Sequence, residues 1–336
     1  MIRIVMLAAV LLATVSCKKT FQPQTAEVVD PGPPDRVLPT IRVLDAGMTP
    51  RVPLRYRIPP GQTELLYLEI VRAQAMRSGN RGAQGGIPPV QLEVKIGPEQ
   101  PTLNGLIRHP VQITQVRLSR AAEQMSAAQR EQMESTLAPL LQVQGWSEMD
   151  IQGRVRRSEF RGLEDVPPDL RAMLGNIRTS LLTIPFPDEP VGARARWEVE
   201  RKIQISGAWI DQIVTYHVEQ IDGQNVVLQV TARQSADPQA ISGGRLEAYQ
   251  TSVIGSSVVR LDHFAAFSEA EATSKMRIAT RTQSGSELVQ VDTKTALRLY
   301  PADATKEFDP KPPEEEAPDP EDVKVITDPG KQRLKW

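Results

Sequence analysis

The most regular pattern in this chain is an alternation of apolar and polar residues between Ala193 and Ile205. The odd positions are apolar apart from Arg201, and the even positions carry charged or polar side chains. A period of two is typical of a strand that buries one face and exposes the other in an antiparallel sheet. The same alternation returns in several segments between residues 208 and 300. The C-terminal half is therefore predicted to be a meander of long strands.

Turn signals and a weaker alternation extend this prediction along the chain. Asp222-Gly223 predicts a hairpin with a type I′ turn, because such a turn needs positive φ at both central residues. The glycine-rich stretch 79–86 lacks the Lys-Ser/Thr pair and the helical pattern of a phosphate site, so it is predicted to be a mobile loop. Three N-terminal segments also alternate and are predicted to be strands: Val52–Ile58, Leu66–Ile70 and Val90–Ile96.

Two segments predict amphipathic helices. The first begins at Ser126, which is predicted to form a capping box with Gln129, and extends to about residue 143. Its apolar face is formed by Met133, Leu137, Leu140 and Leu141. The second extends from about Pro168 to Leu182. The predicted fold class is α+β and predominantly antiparallel β, with a long curved sheet or sheets and both helices packed on one face.

The N-terminus carries a short apolar run that follows Arg3 and ends at Cys17, the only cysteine of the chain. The run is too short to span a bilayer as a mature helix, which needs about 20 apolar residues. It resembles a bacterial lipoprotein signal peptide, although Thr14 stands where such signals usually carry Leu, Val or Ile. The resemblance implies cleavage before Cys17 and acylation of its side chain and amino group, for example with palmitate. Cleavage by ordinary signal peptidase, leaving a free thiol, is the alternative.

The residue after the cysteine bears on localisation. It is Lys18, whereas an Asp there commonly retains Gram-negative lipoproteins in the inner membrane. The resemblance therefore implies a lipid-anchored outer-membrane protein that faces the periplasm. The predicted organisation is a signal peptide (1–16), a lipid-anchored flexible linker (17–49), a β-rich N-terminal half (50–165), a helix followed by an antiparallel meander (166–300) and a disordered proline-rich acidic tail (301–336).

A second resemblance covers roughly residues 170–299. The proline-rich stretch Pro185–Gly192 precedes Trp197 and opens the strand-rich half, and Gly255–Asp262 begins a later strand with glycine. These short motifs resemble a family of uncharacterised bacterial envelope lipoproteins in which a Pro-Val-Gly turn leads into a strand meander. The resemblance implies a fold and a location but no activity. A purely structural reading is also open, because proline ends a helix and glycine permits a tight turn.

Composition and motif searches argue against several function classes. A net charge of −1 is unlike that of a general nucleic-acid binder, and a single cysteine excludes an internal disulfide. The three histidines show no metal-binding spacing. Asp262 and His263 are adjacent on a predicted strand, so their side chains are expected to point to opposite faces. No catalytic residue, metal site or cofactor is predicted, and the chain is expected not to be an enzyme.

Two functions remain open. The first is a non-enzymatic envelope lipoprotein that acts through protein contacts or has a structural role. The second is a periplasmic binder or carrier of a lipid or other hydrophobic ligand, held between sheet and helix by analogy with periplasmic lipid carriers. The side chains predicted to line such a site are Met173, Ile177, Leu181, Trp197, Val199, Ile203, Val214 and Val218. Alternatively, these side chains pack against one another in a closed core.

Overall fold

The strands of this chain form one antiparallel sheet. The computed structural model describes residues 38–302 except 80, 99, 103–104, 119–124, 164–165, 167–182, 206, 242–243 and 283–284. The strands are β1 (Thr40–Asp45), β2 (Glu64–Ser78), β3 (Arg81–Ile96), β4 (Gln100–Pro101), β5 (Ile107–Leu118), β6 (Gln144–Met149), β7 (Val155–Arg161), β8 (Arg196–Ile205), β9 (Ala208–Asp222), β10 (Asn225–Ala236), β11 (Gln239–Ile241), β12 (Gly244–Arg260), β13 (Phe267–Thr282) and β14 (Gly285–Pro301).

The strand order joins the two halves of the chain. Twelve strands follow the order β1-β8-β9-β10-β12-β13-β14-β2-β3-β5-β6-β7, while β4 pairs with β5 and β11 with β12. The predicted C-terminal meander is confirmed, because β8, β9 and β10 pair in sequence and so do β12, β13 and β14. The last strand then pairs with β2, from Val289 opposite Ser78 to Pro301 opposite Leu66. Both β-rich halves therefore belong to one sheet.

The hairpin between β9 and β10 turns one residue later than the sequence predicts. Asp222 pairs with Asn225, so the central residues are Gly223 and Gln224. Gly223 has a φ of 59°, and among the described non-glycine residues only Arg194 has a positive φ. A positive φ at the first central position alone is the pattern of a type II′ turn rather than type I′. The hairpin itself is confirmed.

The main core lies on one face of the sheet, called here the inner face. It is concentrated at the end where β2 begins and β14 ends, with Leu68, Trp197 and Leu299 buried. Strands as distant in the order as β3 and β8 contribute to this core, so the sheet curls around it. Burial of its apolar side chains is the main stabilising term, at roughly 25 cal/mol per Å² of apolar surface.

Irregular segments close the main core where strands do not. The Tyr56 hydroxyl accepts a hydrogen bond from the Ile184 amide at 3.0 Å, and the Tyr56 amide donates to the Ile151 carbonyl at 2.7 Å. The indole of Trp197 donates to the Pro185 carbonyl at 3.1 Å. These bonds tie segments 52–58 and 183–191 to both ends of the strand order. Val52–Ile58 is therefore not the strand that its alternation predicts, although Leu54, Tyr56 and Ile58 are buried.

The first predicted helix is present but shorter. Helix α1 (Ala127–Leu137) begins with the predicted capping box of Ser126 and Gln129. It gives way to a 3₁₀ turn at Ala138–Gln142, because Pro139 has no amide hydrogen and its ring clashes with the preceding helical turn. The change of helix type turns Leu141 outward to 43% exposure, so its place on the apolar face was predicted wrongly.

Other predictions are corrected or fall outside the described residues. Thr40–Asp45 forms β1 and pairs with β8, so these residues are not the flexible linker that the sequence predicts. Ile41 and Val43 pack against the main core, which explains why they are ordered. Most of the glycine-rich stretch is strand, since β3 begins at Arg81. The second predicted helix lies outside the described residues, so two helices on one face are not supported; the signal peptide and residues 303–336 of the tail also lie outside.

Candidate functional site

The side chains predicted to line a ligand site fall into two places. Trp197, Val199, Val214 and Val218 are buried in the main core, where they pack as the closed-core alternative describes. Ile203 belongs to a separate apolar group at the other end of the inner face, called here the second cluster. Its members are Ile203, Ala208, Ile210 and Leu246, with Ala236, Ile241, Tyr249, Met276 and Ile278 packed against them. Met173, Ile177 and Leu181 lie outside the described residues.

A row of polar side chains separates the two apolar regions. Residues directly opposite each other in antiparallel strands point to the same face, so the pairing register shows which side chains share the row. The row, called here the polar row, crosses seven neighbouring strands from β8 to β2. Its members are Arg201, Gln212, Gln234, Thr251, Ser274, Thr293 and Gln74.

Hydrogen bonds join neighbouring members of the polar row at two places. Arg201 donates from Nε to the side-chain oxygen of Gln212. The Thr251 hydroxyl donates to the Ser274 hydroxyl at 2.8 Å. Buried polar groups are costly unless they are hydrogen-bonded, and these bonds pair the buried members Gln212 and Thr251 with their neighbours in the row. The row is therefore an organised feature of the inner face rather than an accident of composition.

Arg72 lies one step nearer the main core than the polar row. It stands opposite Thr295 on β14, two residues after the buried Ile70, and therefore points to the inner face. Its Nη2 donates to the side-chain oxygen of Gln74 at 3.1 Å. Its Nε is buried and has no hydrogen-bond partner among the described residues. A buried donor left without a partner costs about 1–3 kcal/mol.

The charge of Arg72 reaches across the curved sheet. Burial raises the pKa of Tyr249, whereas the charge of Arg72 acts to lower it. Tyr249 lies on β12, and β13 and β14 separate that strand from β2 in the order. Tyr249 also donates to the side-chain oxygen of Gln234 at 3.0 Å, which links it to the polar row.

The inner face is electrostatically positive around the polar row. Burial lowers the pKa of Arg201 and raises that of Tyr216 to about 12. Between the cross-strand rows of Trp197 and Tyr249, none of the described inward-facing residues on the seven strands from β8 to β2 is acidic. Guanidinium groups bind carboxylates and phosphates through paired hydrogen bonds. The arrangement is thus suited to an anion.

Part of this inner face remains accessible. Met76, Ala272 and Met276 point inward from β2 and β13 but are only half-buried. Further along the same sheet, Leu68 and Leu299 are 1% and 2% exposed. The central side chains of the main core are therefore covered, whereas the inner face near the polar row is partly open.

The pair Asp262 and His263 does not lie on a strand. Both residues occupy the turn after β12, and Oδ1 of Asp262 is 2.7 Å from Nδ1 of His263. The expectation that they point to opposite faces is wrong, because it assumed strand geometry. Nearby, the Glu64 carboxylate accepts a hydrogen bond from the Phe264 amide at 2.7 Å, and burial raises its pKa. This contact holds the turn against the main core.

The sequence pattern identifies Arg201 clearly and Arg72 only weakly as unusual residues on the inner face. Arg201 is the single charged residue on an otherwise apolar strand face, and the alternation exposes it directly. Arg72 and Gln74 continue the positions of Leu68 and Ile70 on β2, so the same face changes from apolar to polar. This change is hard to read from the sequence because valine and alanine occupy the intervening positions, so the apolar side of the alternation switches to the opposite face.

The comparisons with known proteins do not assign a family. No protein-family model matches the chain, and no curated protein matches it. The outer membrane protease OmpT from Escherichia coli aligns with a TM-score of 0.21 and 7% identity, over 71% of this chain and 95% of that chain. OmpT, an outer membrane protein of Vibrio cholerae, aligns with a TM-score of 0.15 and 7% identity, over 72% of this chain and 100% of that chain. At these TM-scores the likeness carries no argument.

Neither a metal centre nor a membrane-spanning helix is found among the described residues. No group of three or more His, Cys, Asp or Glu side chains in the described ranges is placed to hold a metal ion. In the same part of the chain, no helix has the length and apolar character required to cross a bilayer.

Proposed function

We propose that this chain is a non-enzymatic envelope lipoprotein that binds a hydrophobic ligand on the inner face of its sheet. The ligand lies along the half-buried side chains beside the polar row, between the main core and the second cluster. The observation that carries the proposal is the partial exposure of inward-facing apolar side chains such as Met276, on strands whose other ends are fully buried. Accessible apolar side chains beside a few well-placed polar groups are typical of a binding site.

The site differs from the one predicted from sequence. Four of the eight predicted lining residues are buried in the main core, whereas the proposed ligand occupies the continuation of the same inner face on β2, β13 and β14. An apolar chain placed there covers Met76, Ala272 and Met276, removing their apolar surface from water. No catalytic group is needed for this role.

A tryptophan placed on the inner face tests the proposal. Ala272→Trp fills the space above β13 and is expected to weaken binding of monopalmitoylglycerol, an uncharged single-chain lipid, by about tenfold or more. Thr273→Trp is the matched control, because Thr273 is the next residue on β13 and points outward. Binding is measured by equilibrium dialysis with radiolabelled lipid, on the chain in which Cys17→Ser prevents acylation. No lipid uptake by the parent chain, or equal binding by both tryptophan variants, contradicts the proposal.

The anchor is a separate part of the proposal and rests on residues 1–17 alone. We expect Cys17→Ser to abolish incorporation of radiolabelled palmitate and to move the protein from the outer-membrane fraction to the soluble periplasmic fraction. The reason is that several acyl chains, each contributing about 0.8 kcal/mol per buried CH₂, hold the protein at the membrane. Thr20→Ala, a change just beyond the anchor, is the control and should label normally. Labelling of the serine variant contradicts acylation at Cys17.

The role in protein contacts stays open as a second proposal. It is supported by the proline-rich acidic sequence of residues 309–322, which resembles a docking segment for a basic partner. If the inner face takes up no lipid, a lipid-anchored interaction protein is the function that remains.

A further inference from the structure

We infer that the ligand of the inner face is an anionic single-chain lipid whose acidic head group is bound by Arg72 beside the polar row. This inference rests on the proposed function and names the chemical class of its ligand. The head group is a carboxylate or a phosphate ester, and the acyl chain extends from it toward the second cluster.

Arg72 provides the primary contact. Its side chain points inward from β2, and only its Nη2 is engaged by a described neighbour, the side-chain oxygen of Gln74 at 3.1 Å. The buried Nε is left with hydrogen-bonding capacity that no described residue uses. An acidic oxygen placed there accepts a charge-assisted hydrogen bond, which is shorter and stronger than a neutral one. The free energy of binding is therefore more favourable for an anion than for a hydroxyl or ester group.

The neighbours of Arg72 are donors without negative charge. Gln74 and Thr293 face it from the adjacent positions of the polar row, and Thr295 stands directly opposite. Arg201 lies at the far end of the polar row, on β8, and is hydrogen-bonded to Gln212. Because the described inward-facing residues of these rows include no carboxylate, an anion meets attraction without a repelling partner.

The apolar rows determine the direction of the acyl chain. On the side of the main core, the inner face is filled by buried side chains such as Leu68 and Ile70. On the other side, Met76 and Met276 lie beyond the polar row and remain half-buried. Successive inward rows are about 7 Å apart, since a strand rises 3.2–3.4 Å per residue. The three steps from Arg72 to Ser78 span about 20 Å. This length exceeds the roughly 15 Å of hydrocarbon in one bilayer leaflet, so this part of the inner face is long enough for an extended acyl chain.

The decisive experiment compares three lipids of equal chain length. Palmitate, monopalmitoyl phosphatidic acid and monopalmitoylglycerol are titrated against the full chain carrying Cys17→Ser, and against the same chain with Arg72→Gln or Arg77→Gln. Arg77 is the matched control, because it lies on the same strand but points outward and is exposed. The parent chain and the Arg77 variant are expected to bind at least one anionic lipid about 10- to 100-fold more tightly than the neutral lipid.

Arg72→Gln is expected to remove this preference while leaving the affinity for monopalmitoylglycerol unchanged. The relative affinities for palmitate and for the phosphate lipid then identify the head group. Equal binding of all three lipids by the parent chain overturns the inference and leaves the proposed function standing. Absence of binding for every lipid overturns the proposed function as well. If Arg72→Gln does not fold, the preference of the parent chain alone decides, and Arg72→Lys, which retains the charge, should preserve part of it.

Discussion

Replacing Trp197 with alanine is expected to lower the free energy of unfolding by about 3–5 kcal/mol, the usual cost of truncating a buried tryptophan. The indole is completely buried, stacks on Tyr216 with ring centroids 5.3 Å apart, and contacts Phe186 at 6.1 Å. Its hydrogen bond to the Pro185 carbonyl fastens the segment that closes the main core. The substitution therefore leaves a cavity and also an unpaired buried carbonyl.

Urea denaturation followed by circular dichroism measures this loss. Ile254→Ala is the control, because Ile254 lies on β12 but is 71% exposed, and its truncation should change stability by less than about 0.5 kcal/mol. Trp197→Phe keeps an aromatic ring but removes the hydrogen bond, so it should fall between the two. A stability loss for Trp197→Ala no larger than that for Ile254→Ala would show that segment 183–191 does not depend on this residue.

Acidification is expected to destabilise the protein through His109. The imidazole is 1% exposed on β5, its ring lies 4.9 Å from that of Phe264, and burial lowers its pKa to about 4. The unfolded chain binds the proton with a pKa of about 6.5. The folded state therefore resists protonation, and stability that is fully present above pH 6.5 is lost as the pH falls toward 4. The pKa difference corresponds to about 3 kcal/mol.

Variants without a titrating group isolate this contribution. His109→Leu and His109→Gln should both show a shallower loss of stability between pH 7 and pH 4 than the wild type, whatever their absolute stabilities. Urea denaturation at several pH values measures the slopes. Glu64 contributes with the opposite sign, because burial raises its pKa and its stabilising effect is lost as the pH rises. Parallel slopes for the wild type and both variants would refute the assignment to His109.

The local features of the fold were readable from sequence because each depends on neighbouring residues. The alternation of Ala193–Ile205 predicted β8 and the meander that follows, and the capping box at Ser126 predicted the start of α1. Arg201 was visible as the exception on an apolar face. In each case the pattern of apolar residues or the capping residue depends only on the local backbone conformation, so it can be recognised in the sequence.

The non-local features were not readable, for physical reasons. The pairing of β14 with β2 joins segments from opposite ends of the chain, and no local pattern encodes which strand edges meet. Segment 52–58 has the alternation of a strand, but its backbone makes isolated hydrogen bonds, including those to the Ile151 carbonyl and to Val191, instead of pairing along a neighbouring strand. The proposed ligand site depends on the first of these features, because Arg72 and Arg201 share a face only when β14 joins β2 to the same sheet.

The position of β14 also dictates when this sheet is completed. It is the last strand in the described part of the chain, yet it lies between β13 and β2 rather than at an edge. Until it emerges, one edge of each of those strands exposes unpaired backbone groups beside apolar side chains, a combination that promotes aggregation. Pairing over such a long sequence separation is also slow. The sheet therefore cannot be completed strand by strand from the N-terminus, and the chain must remain unaggregated until β14 is available to pair.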